Sequence, residues 1–149
     1  MPVTKLFIGS SGGAKSQAKA IVKAFTSPSL EFLPWWDDVF VGGGLLLENL
    51  EKIKVQVDGA VFVFSPEIPG TVRKASAVLP NQNVLFEFGY FLGHFGRKKV
   101  SMMKYGEYYL PSDFGGYIHI TGGKFFKSGA ATKPGKRTIK EFGNWISKF

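Results

Sequence analysis

The stretch Gly59-Ala60-Val61-Phe62-Val63-Phe64, closed by Ser65-Pro66, constrains this chain more than any other. An unbroken apolar run of β-branched and aromatic residues implies a strand buried on both faces, as in the centre of a parallel sheet. Such a sheet needs helices over each face, so the flanking sequence has to supply them in alternation with further strands. It does so. Lys5-Leu6-Phe7-Ile8-Gly9 reads as a first strand and stops at Gly-Ser-Ser-Gly-Gly, residues 9–13. Apolar residues at Ala14, Ala18, Ile21, Val22 and Phe25 then carry helical spacing.

Leu30 to Trp35 reads as a second strand punctuated by Pro34, and Trp36-Asp37-Asp38-Val39-Phe40 leads into the triple glycine 42–44, a mobile loop. A helix is expected from about Leu45 to Val57, and Glu67 to Pro80 as a long irregular connection. Lys99 to Lys104 reads as a fourth strand, Leu110 to Gly116 as turns and Tyr117 to Ile120 as a short fifth strand. Gly122 to Gly135 reads as a basic loop, and Arg137 to Phe149 as a closing helix. The order β-α-β-α-β-α-β-β-α predicts one α/β domain with a flavodoxin-like, doubly wound, parallel five-stranded sheet flanked by helices.

The helix before the fourth strand is chemically unusual. From Val84 to Gly93 every residue is apolar, aromatic or glycine except Glu87. Asn83 is the expected N-cap, its side-chain oxygen accepting an amide of the first turn. A helix apolar all round is expected to be buried. A carboxylate on it must face a cleft, find a partner or shift its pKa, because unpaired burial costs several kcal/mol or more. Glu87 is therefore the first functional candidate; the competing reading is a carboxylate that complements the helix macrodipole.

Ligands bind outside the carboxyl ends of the strands in such sheets. That rule gathers Ser10, Ser11, Trp36 to Phe40, Ser65, Pro66 and Asn83 to Glu87 on one rim. Ser10 and Ser11 offer hydroxyl donors beside a helix start, which suits phosphate, although the loop matches neither the dinucleotide fingerprint nor the P-loop. A plain strand-to-helix turn fits those residues equally. Trp36 can stack on a planar ring or pack under the loop, and Asp37 and Asp38 can bind ribose hydroxyls or cap the turn.

Composition narrows the chemistry. The chain has no cysteine, which excludes disulfides and thiolate catalysis, and only His94 and His119, so no metal site is expected. Length and composition fit one globular domain. The net charge of +8 is concentrated in residues 76–149, where eleven basic and four acidic side chains give +7. These lysines are scattered and carry no nucleic-acid motif, so they read as a solvated face. No stretch suits a membrane span or signal peptide, and a soluble cytoplasmic protein is expected.

Four segments occur together and in order: Phe-Ile-Gly-Ser-Ser (7–11), Pro-Trp-Trp-Asp-Asp-Val-Phe (34–40), Ala-Val-Phe-Val-Phe-Ser-Pro (60–66) and Asn-Val-Leu-Phe-Glu-Phe-Gly-Tyr-Phe-Leu-Gly (83–93). They resemble the bacterial TIR-like predicted nucleotide-binding domains, including the TIR domain of TIR-STING antiphage effectors. The resemblance covers about residues 5–105. It implies cleavage of NAD+ at the nicotinamide–ribose bond, with no cofactor beyond NAD+ as substrate, inside a defence system that depletes NAD+. The family's catalytic glutamate maps onto Glu87. Substrate contacts are implied for Gly9, Ser10 and Ser11 against phosphate or ribose, for Trp36, Asp37 and Phe40 on the nicotinamide side, and for Ser65 and Asn83 on the rim.

The resemblance further implies a homo-oligomer or filament of TIR domains, joined in cis to a STING-like domain that senses a cyclic dinucleotide. On that view residues 1–149 are a TIR-like domain from a longer effector. One departure is visible: where similar sequences carry an arginine and an aspartate before the motif, this chain has Asn81 and Gln82, and Arg73 is the nearest substitute charge. Two other readings stand beside the hydrolase: a TIR module that signals by assembly alone, and a nucleoside deoxyribosyltransferase-like enzyme whose glutamate attacks the sugar.

Overall fold

The computed structural model describes residues 2–37, 46–111, 119–126 and 133–149. Its elements in chain order are β1 (Thr4–Ser10), α1 (Lys15–Phe25), β2 (Leu30–Pro34), α2 (Leu46–Lys54), β3 (Gly59–Phe64), β4 (Ile68–Val72), β5 (Ala75–Leu79), α3 (Gln82–Phe95), β6 (Val100–Tyr105), β7 (His119–Gly123) and α4 (Lys136–Ile146). A short 3-10 turn, Gly12–Ala14, joins β1 to α1.

Five strands form one sheet in the order β2-β1-β3-β6-β7, and each neighbouring pair is parallel. β3 lies in the middle with all of its residues buried, as its unbroken apolar run requires. Because side chains alternate across a strand, its residues divide between two cores. Val61 and Val63 join Leu6, Ile8 and Ile21 on the face that α4 covers with Phe142 and Trp145. Ala60, Phe62 and Phe64 join Phe7, Leu50 and Ile53 on the face covered by α3 through Phe88 and Phe91. That second core is aromatic: Phe7 stacks on Phe91 at 5.1 Å, and Phe62 meets Phe88 edge-on at 5.7 Å.

Two sequence expectations change here. Residues 67–80 are not an irregular connection but an antiparallel hairpin, β4–β5, with Ile68 opposite Leu79. Its two-residue turn places Arg73 (φ 48°) and Lys74 (φ 69°) in the left-handed region. Such turns normally advertise themselves with Asn or Gly, and Pro69-Gly70 inside β4 further disguises the strand. The hairpin is tied down by the Tyr109 amide, which donates to the Val78 carbonyl at 2.7 Å.

The second change concerns α3. Asn81, not Asn83, is its N-cap: the Asn81 side-chain oxygen accepts the Val84 amide at 3.1 Å. Asn83 is already helical and exposed. The helix is also not buried all round, for Phe86 is 53% exposed, and Gly89 and Gly93 lie on the same open side. Of the fifth strand's expected residues, Tyr117 and Ile118 lie outside the described ones, and the observed strand continues past Ile120 to Gly123.

Asn81→Ala is expected to destabilise the fold by about 1 kcal/mol, the usual value of a helix cap, while Asn83→Ala stays within about 0.5 kcal/mol of wild type. Urea unfolding midpoints of the two variants check this; equal losses would return the cap to Asn83.

Candidate active site at the carboxyl rim of the sheet

α3 starts beside the carboxyl ends of β1 and β2, and its helical repeat puts Asn83, Val84 and Glu87 on one side. With Ser10, Ser11 and Gly12 after β1, and Trp35 after β2, they line a cavity of about 270 Å³. Glu87 is 9% exposed and makes no hydrogen bond to any described residue. It is the sixth residue of α3, beyond the first turn where the macrodipole acts, so the dipole reading does not account for it. Burial pushes its carboxyl from 4.5 up to about 7.

The opposite wall is a relay of hydrogen bonds. The Trp35 Nε1–H donates to the Ser10 hydroxyl at 2.8 Å, and that hydroxyl donates to the Ser11 carbonyl at 2.9 Å. Trp35 thereby fixes the ends of β1 and β2 against each other, and Lys15 Nζ sits 5.6 Å over its ring. Neither the 3-10 turn nor α1 has a side-chain cap, and Ser11 is buried without using its hydroxyl on a described residue. Asn81 closes the rim and reaches Glu67 Oε1 with its side-chain amide at 3.3 Å.

The structure brings together Ser10, Ser11, Asn83 and Glu87 of the residues singled out in the sequence. It separates the others. Gly9 does not line the cavity; a β-carbon there would lie 2.7 Å from the Phe62 ring, so its glycine serves packing. Trp36 turns to the α1 face, packs against that core and lies under Lys19 at 6.0 Å. Asp37 is exposed, and its amide donates to the Pro34 carbonyl at 3.1 Å. Ser65 is buried in a neighbouring cavity. Arg73, at the hairpin tip, lines another cavity with Val72, Tyr109 and Leu110. Asp38, Phe40 and glycines 42–44 lie outside the described residues.

Trp35, Gly12 and Leu46 enter the site without having been singled out, and Asn81 enters it having been noted only as a departure before the motif. Alternation along β2 holds the signal for Trp35: Leu33 and Trp35 pack on the α2–α3 face, Phe32 and Trp36 on the other. A larger cavity of about 580 Å³, beside β6 and β7, is lined by Lys104, Glu107, His119 and Lys124 and holds no buried carboxylate. Among the described residues no group of three or more His, Asp or Glu side chains is placed to hold a metal ion. No helix among them is long and apolar enough to cross a membrane.

Strand order and crossovers define a doubly wound, flavodoxin-like α/β domain with a desolvated carboxyl at its carboxyl rim. The chain belongs to the family described as CAP12/Pycsar effector protein, TIR domain, whose model matches residues 5–123. It is 36% identical over 74% of its length to CD-NTase-associated protein 12 of a Lachnospiraceae bacterium, and 33% identical over 92% of its length to the protein of that name from Niabella drilacis. It is 32% identical over 78% of its length to the Pycsar effector protein BcPycTIR of Burkholderia cepacia. The chain spans 34%, 45% and 39% of the lengths of these relatives.

Because the folded pKa of Glu87 lies above the unfolded value, the native state holds the extra proton between about pH 4.5 and 7, and stability falls as pH rises through that window. Glu87→Gln removes the charge and is expected to be more stable than wild type by up to about 3 kcal/mol at pH 8, with little difference at pH 4.5. Urea unfolding at the two pH values checks it, and parallel wild-type and variant curves would contradict it.

Proposed function

We propose that this domain is an NAD+ glycohydrolase with Glu87 as its catalytic carboxylate. The observation that carries the reading is the buried carboxyl on α3, without a hydrogen bond to any described residue, facing the Ser10–Ser11 end of β1 across one cavity. Membership of the CAP12/Pycsar TIR family supports it.

In the reaction, the bond between the nicotinamide nitrogen and ribose C1′ breaks with its electron pair going to the nitrogen. Nicotinamide leaves neutral and needs little acid catalysis. Positive charge moves onto the ribose as an oxocarbenium-like centre, and a carboxylate within the cavity stabilises it. Water then bonds to C1′ and gives a proton to solvent, leaving ADP-ribose; capture by the adenine instead would give the cyclic product. A low-dielectric cavity strengthens the attraction between Glu87 and the developing cation. The uncapped amides at the start of α1, with the Ser11 hydroxyl, suit the pyrophosphate.

The setting is a bacterial antiphage response. CD-NTase-associated and Pycsar relatives support a cyclic-nucleotide signal, and the relatives' extra length would house a sensor such as a STING-like domain. Phe86 and Leu47, 53% and 47% exposed, support assembly of copies through the open side of α3 and the start of α2. Activity is expected to rise with protein concentration; constant specific activity from dilute to enforced-oligomer conditions would remove self-association from the proposal.

Nicotinamide release from NAD+ tests the whole reading. Glu87→Gln should lower kcat/KM at least about a hundredfold. The wild-type rate should climb from pH 5 to 8 with a midpoint near 7, because the anion is the working form. Undiminished release by Glu87→Gln would reject the carboxylate role. A covalent glycosyl-enzyme formed from nucleosides would favour the transferase-like reading, and a signal surviving Glu87→Gln without any hydrolysis would favour the assembly module.

A further inference from the structure

The switch point of the sheet lies between β1 and β3, whose crossovers leave toward opposite edges. A second cavity, of about 300 Å³, opens there beside the carboxylate one and is lined by Gly13, Ser65, Pro66, Glu67 and Phe125. The two cavities share a wall. Gly12 belongs to one and Gly13 to the other, and the Asn81–Glu67 hydrogen bond links their rims. A β-carbon on Gly12 would meet nothing within 4 Å, so the crest of this wall is bare backbone.

The second cavity has both an apolar and a polar side. Pro66 and Phe125 both crowd Gly106 (φ +71°), where a β-carbon would lie 2.9 Å from Pro66 and 3.1 Å from Phe125. Only a glycine lets the turn after β6 bring them this close. Ser65 is 4% exposed, lines the cavity and makes no side-chain hydrogen bond to a described residue. A serine hydroxyl that bonds no described residue, beside a ring and a proline, gives this cavity the mixed polar and apolar lining of a ligand pocket. Each cavity by itself is at or below the usual lower limit for small-molecule sites, about 300 Å³.

We propose that the second cavity binds the adenosine half of the dinucleotide, with the pyrophosphate crossing the Gly12–Gly13 crest. The proposal rests on the NAD+ reading of the Glu87 cavity and adds the distal end of the substrate. The adenine lies between Pro66 and the Phe125 ring, Ser65 hydrogen-bonds the base or sugar, and Glu67 accepts from ribose hydroxyls. The bare crest lets phosphate oxygens approach the turn's amides, which no side-chain cap occupies.

AMP, which carries this half alone, is the probe. Titrated into the full chain labelled with nitrogen-15, it should shift the amides of Gly13, Glu67 and Phe125 and leave those of residues 83–87 in place. Phe125→Leu, which keeps apolar packing but removes the ring, should weaken AMP binding about tenfold, as loss of base stacking does. Ser65→Ala should weaken it about threefold, and Glu87→Gln should bind AMP like wild type. No binding, shifts centred on residues 83–87, or wild-type affinity in both Phe125→Leu and Ser65→Ala would overturn the proposal. Failure of the wild type to hydrolyse NAD+ would count against the Glu87 reading alone, because the AMP titration does not depend on turnover.

Discussion

The rest of the structure depends on β3 being buried on both sides. A strand without one polar side chain cannot show either face to water, so the sheet must be covered twice. Parallel neighbours make that covering possible, since each crossover carries a helix back over one face. The division of β3 into Val61 and Val63 on one side, and Ala60, Phe62 and Phe64 on the other, sets what each layer has to be. The bulky aromatic side demands bulky partners, and α3 supplies Phe88 and Phe91. The side of smaller residues accepts α1, where Ala18, with Ala14 in the turn before it, allows close approach, and the aromatic pair Phe142 and Trp145 of α4.

The site is a by-product of the same constraint. Once α3 is bound to the aromatic face by Val84, Phe88 and Phe91, the helical repeat fixes where residue 87 falls. It falls beside Val84, on the inward side, close enough to the sheet to lose water and near enough to the rim to meet a cavity. A leucine there would extend the core without cost. A carboxyl there, its pKa pushed up to about 7, is only about half ionised at neutrality, and no described group repays the cost of burying its charged form. Retaining it makes physical sense when a cation forms in the cavity, because desolvation that penalises the lone anion also strengthens its attraction to that cation.

The sheet was legible in the sequence because its strands are short apolar runs ended by Gly, Pro or Ser, and Glu87 was legible because it is the only charged residue between Val84 and Gly93. What escaped notice had weaker local signatures. The β4–β5 hairpin turns on Arg73-Lys74, a pair that sequence rules do not associate with two left-handed residues. The cap fell on Asn81 rather than Asn83 because both are good caps and only the Glu67 contact and the entry of the chain from β5 distinguish them. Trp36, the candidate for the cleft, packs on the α1 face, and Trp35, read as the end of a strand, lines the cleft; a shift of one residue along a strand changes the face.

Asn81 connects these corrections to the site. Residues 81–82 of this chain are Asn-Gln. In the structure Asn81 performs three tasks with one amide group: its oxygen caps α3, its nitrogen binds Glu67, and its body closes the Glu87 cavity. A neutral amide can both accept from a helix amide and donate to a carboxylate, which an arginine cannot, having no acceptor. Asn81 therefore joins the helix that carries Glu87 to Glu67, at the foot of the hairpin. Among the described residues, the amides at the start of α1 carry no side-chain cap, and Lys15 is held over the ring of Trp35. On the proposed reading, phosphate oxygens meet fixed backbone dipoles, and the open backbone of the Gly12–Gly13 turn is what lets them approach.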